Sequence, residues 1–168
     1  MNILNNEVFA VILAIIIIGS IFSLAKVLQP GITEPFTAIA LLNEECKMGD
    51  YPREVFVGEN ITLCILLYNY MGYPVLMQVK YKIGTSESLP TNTTPSPKPA
   101  IKVIEKLLDH NENVTLLIQV PILVNKSYVG KEIALIFELW IYDIDQRDWV
   151  YSGKWNHLYV KVLEAPIP

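Results

Sequence analysis

The residues best suited to chemistry in this 168-residue chain are few. Asp143, Asp145 and Asp148 fall within one short stretch, Tyr142-Asp-Ile-Asp-Gln-Arg-Asp-Trp149. Calcium and similar hard cations take several oxygens from one loop, so these three carboxylates are the candidate cation ligands. The stretch lacks the glycine and the later glutamate of an EF-hand, and Arg147 sits among the acids. Acidic turn residues also build hairpins with no ion present. His110 follows Asp109 in a turn, His157 lies in the last strand, and no G-x-S-x-G nucleophile elbow accompanies either. These residues predict no catalytic group, no cofactor and no enzyme. The two cysteines, Cys46 and Cys64, leave two readings open. They form a disulfide in an oxidising compartment, or Cys64 is a buried thiol within a strand. Without a C-x-x-C pair or a Cys/His cluster, a structural zinc site has no ligand set.

Two further groups point to modification and contact. Asn60, Asn92, Asn113 and Asn125 each begin an N-x-S/T sequon, the acceptor for N-linked glycan on an exported domain. Asn and Thr are also common in β-rich loops. Aromatic residues crowd the last hairpin: Trp140, Tyr142, Trp149, Tyr151, Trp155 and Tyr159. Strict alternation turns Trp140, Tyr142, Trp155 and Tyr159 away from the core, where they would dock a protein or stack on a sugar. The competing reading packs them under loops or in cross-strand pairs. Gly153 predicts a bulge that shifts the register.

The elements that carry these groups follow from hydropathy. Residues 1–7 form a short tail. From Val8 to Ala25 no charge occurs, and Ser20 and Ser23 are the polar members apart from glycine. A helix over 8–28 would reach about 31 Å, enough for a hydrocarbon core of about 30 Å. It has no polar stripe, so a transmembrane signal anchor is expected. A signal peptide cleaved after Ala25 is the competing reading, opposed by the missing basic n-region and the length of the apolar run. Gly19 and Ser23 are four residues apart, a spacing that permits close helix approach. Gln29-Pro30-Gly31 should end the helix within a linker over 29–35.

Residues 36–165 read as one β-sandwich. Strands are predicted at 36–42, 54–57, 61–69, 74–83, 101–107, 114–120, 132–142 and 149–163, separated by turn residues. Ile133, Leu135, Phe137, Leu139 and Ile141 share one face, as do Leu158, Val160 and Val162, the pattern of strands buried on one side. The loop 86–100, with four prolines, is expected to be solvated and partly extended. A net charge of −4 with no basic cluster excludes nucleic acid as a natural partner. Lys26 beyond the helix opposes an external domain under the positive-inside rule, whereas the sequons favour it. The expected topology has the N-terminus inside and the domain outside the cytoplasm.

Gly58-Glu59-Asn60-Ile61-Thr62-Leu63, followed by Leu67-Tyr68-Asn69-Tyr70-Met71-Gly72-Tyr73-Pro74-Val75, resembles the B–C region of immunoglobulin-like surface modules of archaea and bacteria. Pro35-Phe36-Thr37, the Leu41-Leu42 pair, and Asp50-Tyr51-Pro52 through Val57-Gly58-Glu59 resemble an archaeal membrane family known as domain of unknown function sixteen-sixteen. That family often carries an acidic residue at position 38 and a glycine after the leucine pair, where this chain has Ala38 and Asn43. The resemblance implies an anchored archaeal surface protein and carries over no catalytic residue. The function expected is that of an accessory or structural subunit of a membrane or envelope complex, held by lipid and by neighbouring proteins. The alternatives are a secreted filament or adhesion subunit assembling by strand exchange, and a carbohydrate-binding module.

Overall fold

The computed structural model describes residues 6–28 and 34–164. They form two units, a helix and a sandwich. The helix α1, Asn6–Leu28, contains a 20-residue stretch, Glu7–Lys26, of mean hydropathy 2.9 whose side chains are unburied. It is long and apolar enough to cross a membrane. Within it the Ser20 hydroxyl donates to the Ile16 carbonyl at 2.8 Å, which satisfies that polar group inside the helix. Residues 1–5 and most of the expected linker, 29–33, lie outside the described residues, as does the predicted Gln29-Pro30-Gly31 stop.

The second unit is an immunoglobulin-like β-sandwich of eight strands: β1 Phe36–Leu42, β2 Glu54–Phe56, β3 Asn60–Tyr70, β4 Val75–Gly84, β5 Lys102–Leu108, β6 Glu112–Pro121, β7 Glu132–Asp143 and β8 Asp148–Leu163. Every strand expected from the period-two pattern is present, with ends displaced by one or two residues. One sheet has the order β1-β3-β6, the other β2-β8-β7-β4-β5. All pairings are antiparallel except β2 with β8, which is parallel. Between the sheets lie Leu63, Ile65, Leu67, Met77, Val79, Tyr81, Leu135, Phe137, Leu139 and Val160, all fully or almost fully buried. The Tyr81 hydroxyl reaches out of this core to the Pro121 carbonyl at 3.1 Å, which satisfies the one polar atom it brings in.

The motif residue Asn69 has a concrete task. It is wholly buried, and its side-chain amide donates to the carbonyls of Tyr73, Leu108 and Asp109 at 2.9, 2.9 and 3.1 Å. Its Oδ1 accepts from the Met71 amide at 3.0 Å. One side chain thus ties the β3–β4 turn to the β5–β6 turn at the same end of the sandwich. Asn43 does the same locally, accepting the Glu45 and Lys47 amides and shaping the turn that carries Cys46.

The loop 86–100 departs in part from expectation. It is a strap laid over the outer face of the five-stranded sheet: Ser88, Pro90 and Ser96 are buried, while most of its other residues are exposed as expected. Consequently Ile133 through Leu139 of the central strand β7 are buried on both faces, not one. The reason lies beneath the strap. Glu138 is 0 % exposed and forms an ion pair with Lys82 at 2.8 Å. The Ser96 amide donates to the other carboxylate oxygen at 2.6 Å, and the Lys82 ammonium donates to the Ser96 carbonyl at 2.7 Å. A residue between two prolines therefore offers both its backbone groups to a buried pair of charges. Removing one partner of such a pair leaves an uncompensated charge. Glu138→Leu should cost about 3–5 kcal/mol of stability, and adding Lys82→Met should recover most of that loss. Urea titration of the full chain in detergent measures both.

Candidate functional site

The β7–β8 hairpin turn does not gather its acids around a cation. Asp143 is committed to the turn: one carboxylate oxygen accepts the Asp145 and Gln146 amides at 2.9 and 3.0 Å, the other the Gln146 side chain at 2.9 Å. Hydrogen bonds from the Gln146 and Asp145 amides hold its carboxyl below the usual range. Asp148 accepts the Trp149 amide at 2.7 Å. Among the described residues no three His, Cys, Asp or Glu side chains converge as a metal site. The calcium expectation is thus corrected, because the carboxylates make the hairpin itself. Arg147 adopts φ 53° in this turn, a left-handed conformation with no glycine to advertise it.

The aromatic hairpin resolves into three parts. The predicted bulge is present: the β7–β8 register shifts between Leu139 and Trp140, and Gly153 has φ 73°. A Cβ at Gly153 would collide with the Asn92 carbonyl oxygen of the strap. Trp140 is not a free surface residue. Its indole N–H donates to Glu138 at 3.1 Å, the Lys80 ammonium lies 3.5 Å from its ring centroid, and Tyr151 packs at 5.5 Å. The Tyr151 hydroxyl, whose pKa burial pushes up to about 12, donates to the Thr91 carbonyl at 2.9 Å. Tyr151 therefore ties β8 to the strap, and Trp140, half-buried beside it, is engaged by Glu138, Lys80 and Tyr151 rather than standing wholly free for a partner. Tyr142 pairs edge-on with Trp149 at 5.5 Å nearer the turn. Trp155, His157 and Tyr159 form a ladder along the outer face of β8, with centroids 5.3 and 4.8 Å apart. Their planes are tilted by 33° and 82°, so they offer no flat platform for a sugar.

Tyr142 lines a cleft of about 730 Å³ at this end of the larger sheet, together with Tyr73, Leu76, Leu107, Ile141 and Ile144. Ile144, Leu107 and Tyr73 are 77, 59 and 55 % exposed, so large apolar side chains stand open around one concavity. Asp143 and Asp145 line the same cleft and give it an acidic rim. On the smaller sheet, Phe36, Tyr68, Tyr70 and His110 form an outward aromatic cluster, with neighbouring centroids 4.8–6.2 Å apart. Sequence reasoning missed it, although Phe36, Tyr68 and Tyr70 carry a usable signal: each alternates with a buried neighbour in its strand.

The sequence matches no protein-family profile and no characterised relative. Solved structures similar to it in fold include the Bacillus subtilis sporulation control protein Spo0M, at 10 % identity and TM-score 0.44, covering 80 % of this chain and 51 % of that one. Another is a β-glucosidase of Listeria innocua, at 10 % identity and TM-score 0.42, covering 78 % of this chain and 16 % of the enzyme. A third is the PapD-like domain 7 of human CEP192, at 13 % identity and TM-score 0.38, covering 82 % and 94 %. This chain therefore spans about half of the sporulation protein and a small part of the enzyme. None of the three carries a function across at such distances.

Cys46 and Cys64 are joined as a disulfide, which settles the reading that the sequence left open. The bond roofs Cys64 on the outer face of β3. Asn60, Asn92, Asn113 and Asn125 are all exposed; Asn125 also accepts the Ser127 amide at 3.1 Å through Oδ1, leaving its amide nitrogen outward. In the helix, Gly19 and Ser23 line a shallow notch with Ile16, Ser20 and Leu24, and a Cβ at Gly19 would meet nothing within 4 Å. Because the hairpin acids hydrogen-bond to their own turn, calcium and EDTA should leave the thermal unfolding midpoint unchanged. A calcium-dependent rise of a few degrees in differential scanning fluorimetry would contradict that assignment.

Proposed function

We propose that this chain is a single-pass membrane protein that works by contact, with its sandwich outside the cytoplasm as an accessory or structural element of a membrane or envelope complex. The observation that carries the reading is the acid-rimmed apolar cleft at Tyr73, Leu107 and Ile144. Large apolar side chains left open around one concavity, rather than scattered singly, mark a contact surface. The cleft suits an apolar side chain of a partner protein flanked by lysine or arginine, which the rim of Asp143 and Asp145 would complement. The apolar helix supplies the anchor, and its Gly19–Ser23 notch supplies a second contact within the lipid.

The external placement is supported by the disulfide, which persists in oxidising compartments, and by four exposed sequon asparagines. Kinship with the archaeal anchored family belongs to the same proposal, on Pro35-Phe36-Thr37, the Leu41-Leu42 pair and the run from Asp50-Tyr51-Pro52 through Val57-Gly58-Glu59 alone.

Three measurements test the proposal. The chain should stay with membranes through alkaline extraction. Its sandwich should be cleaved by protease added outside sealed cells, and at least one of the four asparagines should carry extra mass. A protected, unmodified domain overturns the external placement. Ile144→Asp should cost partner binding about 2 kcal/mol or more, roughly thirtyfold in affinity, with the unfolding midpoint preserved. Gly19→Leu should weaken the same association from within the lipid, since the helix has room for the side chain but a close neighbour does not. Undiminished co-purification in mild detergent with both changes present excludes these surfaces.

A further inference from the structure

The larger sheet has an unfinished edge. β8 is sixteen residues long, yet its outer neighbour β2 covers only Lys161, Val162 and Leu163. Successive backbone amides along a strand point to opposite sides. The Lys161 amide points away from β7, to the Arg53 carbonyl at 2.9 Å, and the Val162 amide points back to the Lys131 carbonyl at 2.9 Å. Counting back by twos from Lys161, the amides and carbonyls of Tyr159, His157 and Trp155 also face away from β7. Among the described residues no strand lies against them. This open stretch is flanked by two hollows. One is lined by Thr37, Ile39, Gly153, Lys154 and Trp155, the other by Tyr51, Pro52, Arg53, Leu158 and Tyr159.

Across the gap runs β1, the edge of the other sheet, and the two edges are bridged by side chains alone. Lys154 donates to the Thr37 hydroxyl at 3.1 Å and Asn156 donates to the Ile39 carbonyl at 3.0 Å. The opposite edge of the larger sheet is guarded differently. Lys102 and Lys106 of β5 stand in register with the core residues Tyr81 and Met77, and charges set on the inward side of an edge discourage strand pairing. β1 carries no charged residue from Phe36 to Leu42, and β8 none from Trp155 to Val160 apart from the His157 imidazole.

We infer that the seam between β1 and β8 is a strand-addition site, which takes a short extended segment of a partner protein against the backbone of Trp155–Tyr159. This inference rests on the reading of the sandwich as a contact domain and adds a second, chemically different contact to it. The ends of the slot set the length. At one end Lys161 is already held by Arg53, and at the other the strap's Asn92 sits against Gly153. Seven residues, 154–160, remain between, about 24 Å of extended chain, and the edge-facing backbone groups within it are those of Trp155, His157 and Tyr159. A second copy pairing β8 to β8 does not fit, because its sixteen-residue strand laid along the slot would run into β2 or the strap.

The side chains around the slot define what the segment carries. Positions facing outward meet the aromatic ladder of Trp155, His157 and Tyr159 and suit apolar residues. Positions facing inward meet Thr37, Lys154 and Asn156. Lys154 is half-buried and has no acidic partner among the described residues, and burial lowers its pKa. An aspartate or glutamate at an inward position supplies the missing counter-charge.

The test uses the full chain in detergent micelles and amide hydrogen exchange read residue by residue. In the free protein the amides of Trp155, His157 and Tyr159 should exchange fast, while those of Asn156 and Leu158 are protected by β7. Uniform protection would mean the edge is covered and the site does not exist. The probe is a blocked heptapeptide of alternating valine and threonine with one inward aspartate. At about nine times its Kd it should slow exchange of those three amides about tenfold. The same peptide with N-methyl groups on the edge-facing amides should not. Lys154→Glu should reverse the preference from the aspartate peptide to its lysine counterpart. Protection that persists with the N-methylated peptide, protection at β5 instead, or none at about 1 mM peptide, the weak end of specific binding, overturns the inference. The Ile144→Asp result is independent of every one of these outcomes, so either surface can fail alone.

Discussion

A carboxylate shut away from water must be neutralised by whatever surrounds it, and Glu138 occupies the middle of the central strand of the larger sheet. Its three partners come from three directions: Lys82 on the neighbouring strand, Trp140 two residues along its own strand, and the Ser96 amide from above. Only the last lies outside the sheet, so satisfying the charge obliges the β4–β5 connection to cross the sheet face. Much of the molecule's outer surface follows from that obligation. The strap covers Ala134 and Ile136, Tyr151 is drawn in to hold it, and Gly153 is bare so that it can pass. A better-packed apolar core could be as stable. The ion pair instead fixes one position for a connection whose proline-rich composition would otherwise leave it without one.

This explains what could and could not be read from the sequence. The eight strands were legible because alternation is a local signal, and residues such as Ile133, Leu135 and Phe137 display it in one window. The strap was not, because its anchor is the backbone amide of Ser96, and no residue type records where a main-chain donor will point. Four prolines correctly excluded a strand and implied a largely solvated course, but not the buried points at Ser88, Pro90 and Ser96 that hold it down. Trp140 kept two readings for a similar reason: its outward parity was right, but the side chains that engage it were invisible. The disulfide stayed open because separation in sequence says nothing of register, whereas the pairing of Leu42 with Cys64 brings the following turn alongside. The hairpin acids stayed a cation candidate beside the ion-free reading because a turn that consumes its own carboxylates looks, in sequence, like a loop waiting for an ion.

The two proposed contact surfaces lie on opposite sides of the Gly153 bulge. Toward the hairpin turn the sheet ends in a concavity of open aliphatic side chains with acids at its rim. On the other side the same strand presents main-chain groups beside a lysine that has no acidic partner among the described residues. As proposed, one surface would recognise side chains and the other backbone, and the bulge changes the phase of β8 between them. A partner that engaged both would have to present a compact knob and an extended tail.

The lone parallel pairing also constrains how the sandwich is assembled. β2 is made early, but the strand that accepts it, through Glu54 against Lys161, follows roughly a hundred residues later, the kind of non-local pairing that slows folding. During synthesis from the N-terminus, β1 and β3 can pair at once, and β6 can join them. The five-stranded sheet has no centre until β7 emerges and no site for β2 until the last strand is complete. Until then the apolar face of Leu63, Ile65 and Leu67 has nothing to cover it. For a chain held at one end, the half-built sandwich is therefore the state most in need of a chaperone, and it persists until the final residues of β8 arrive.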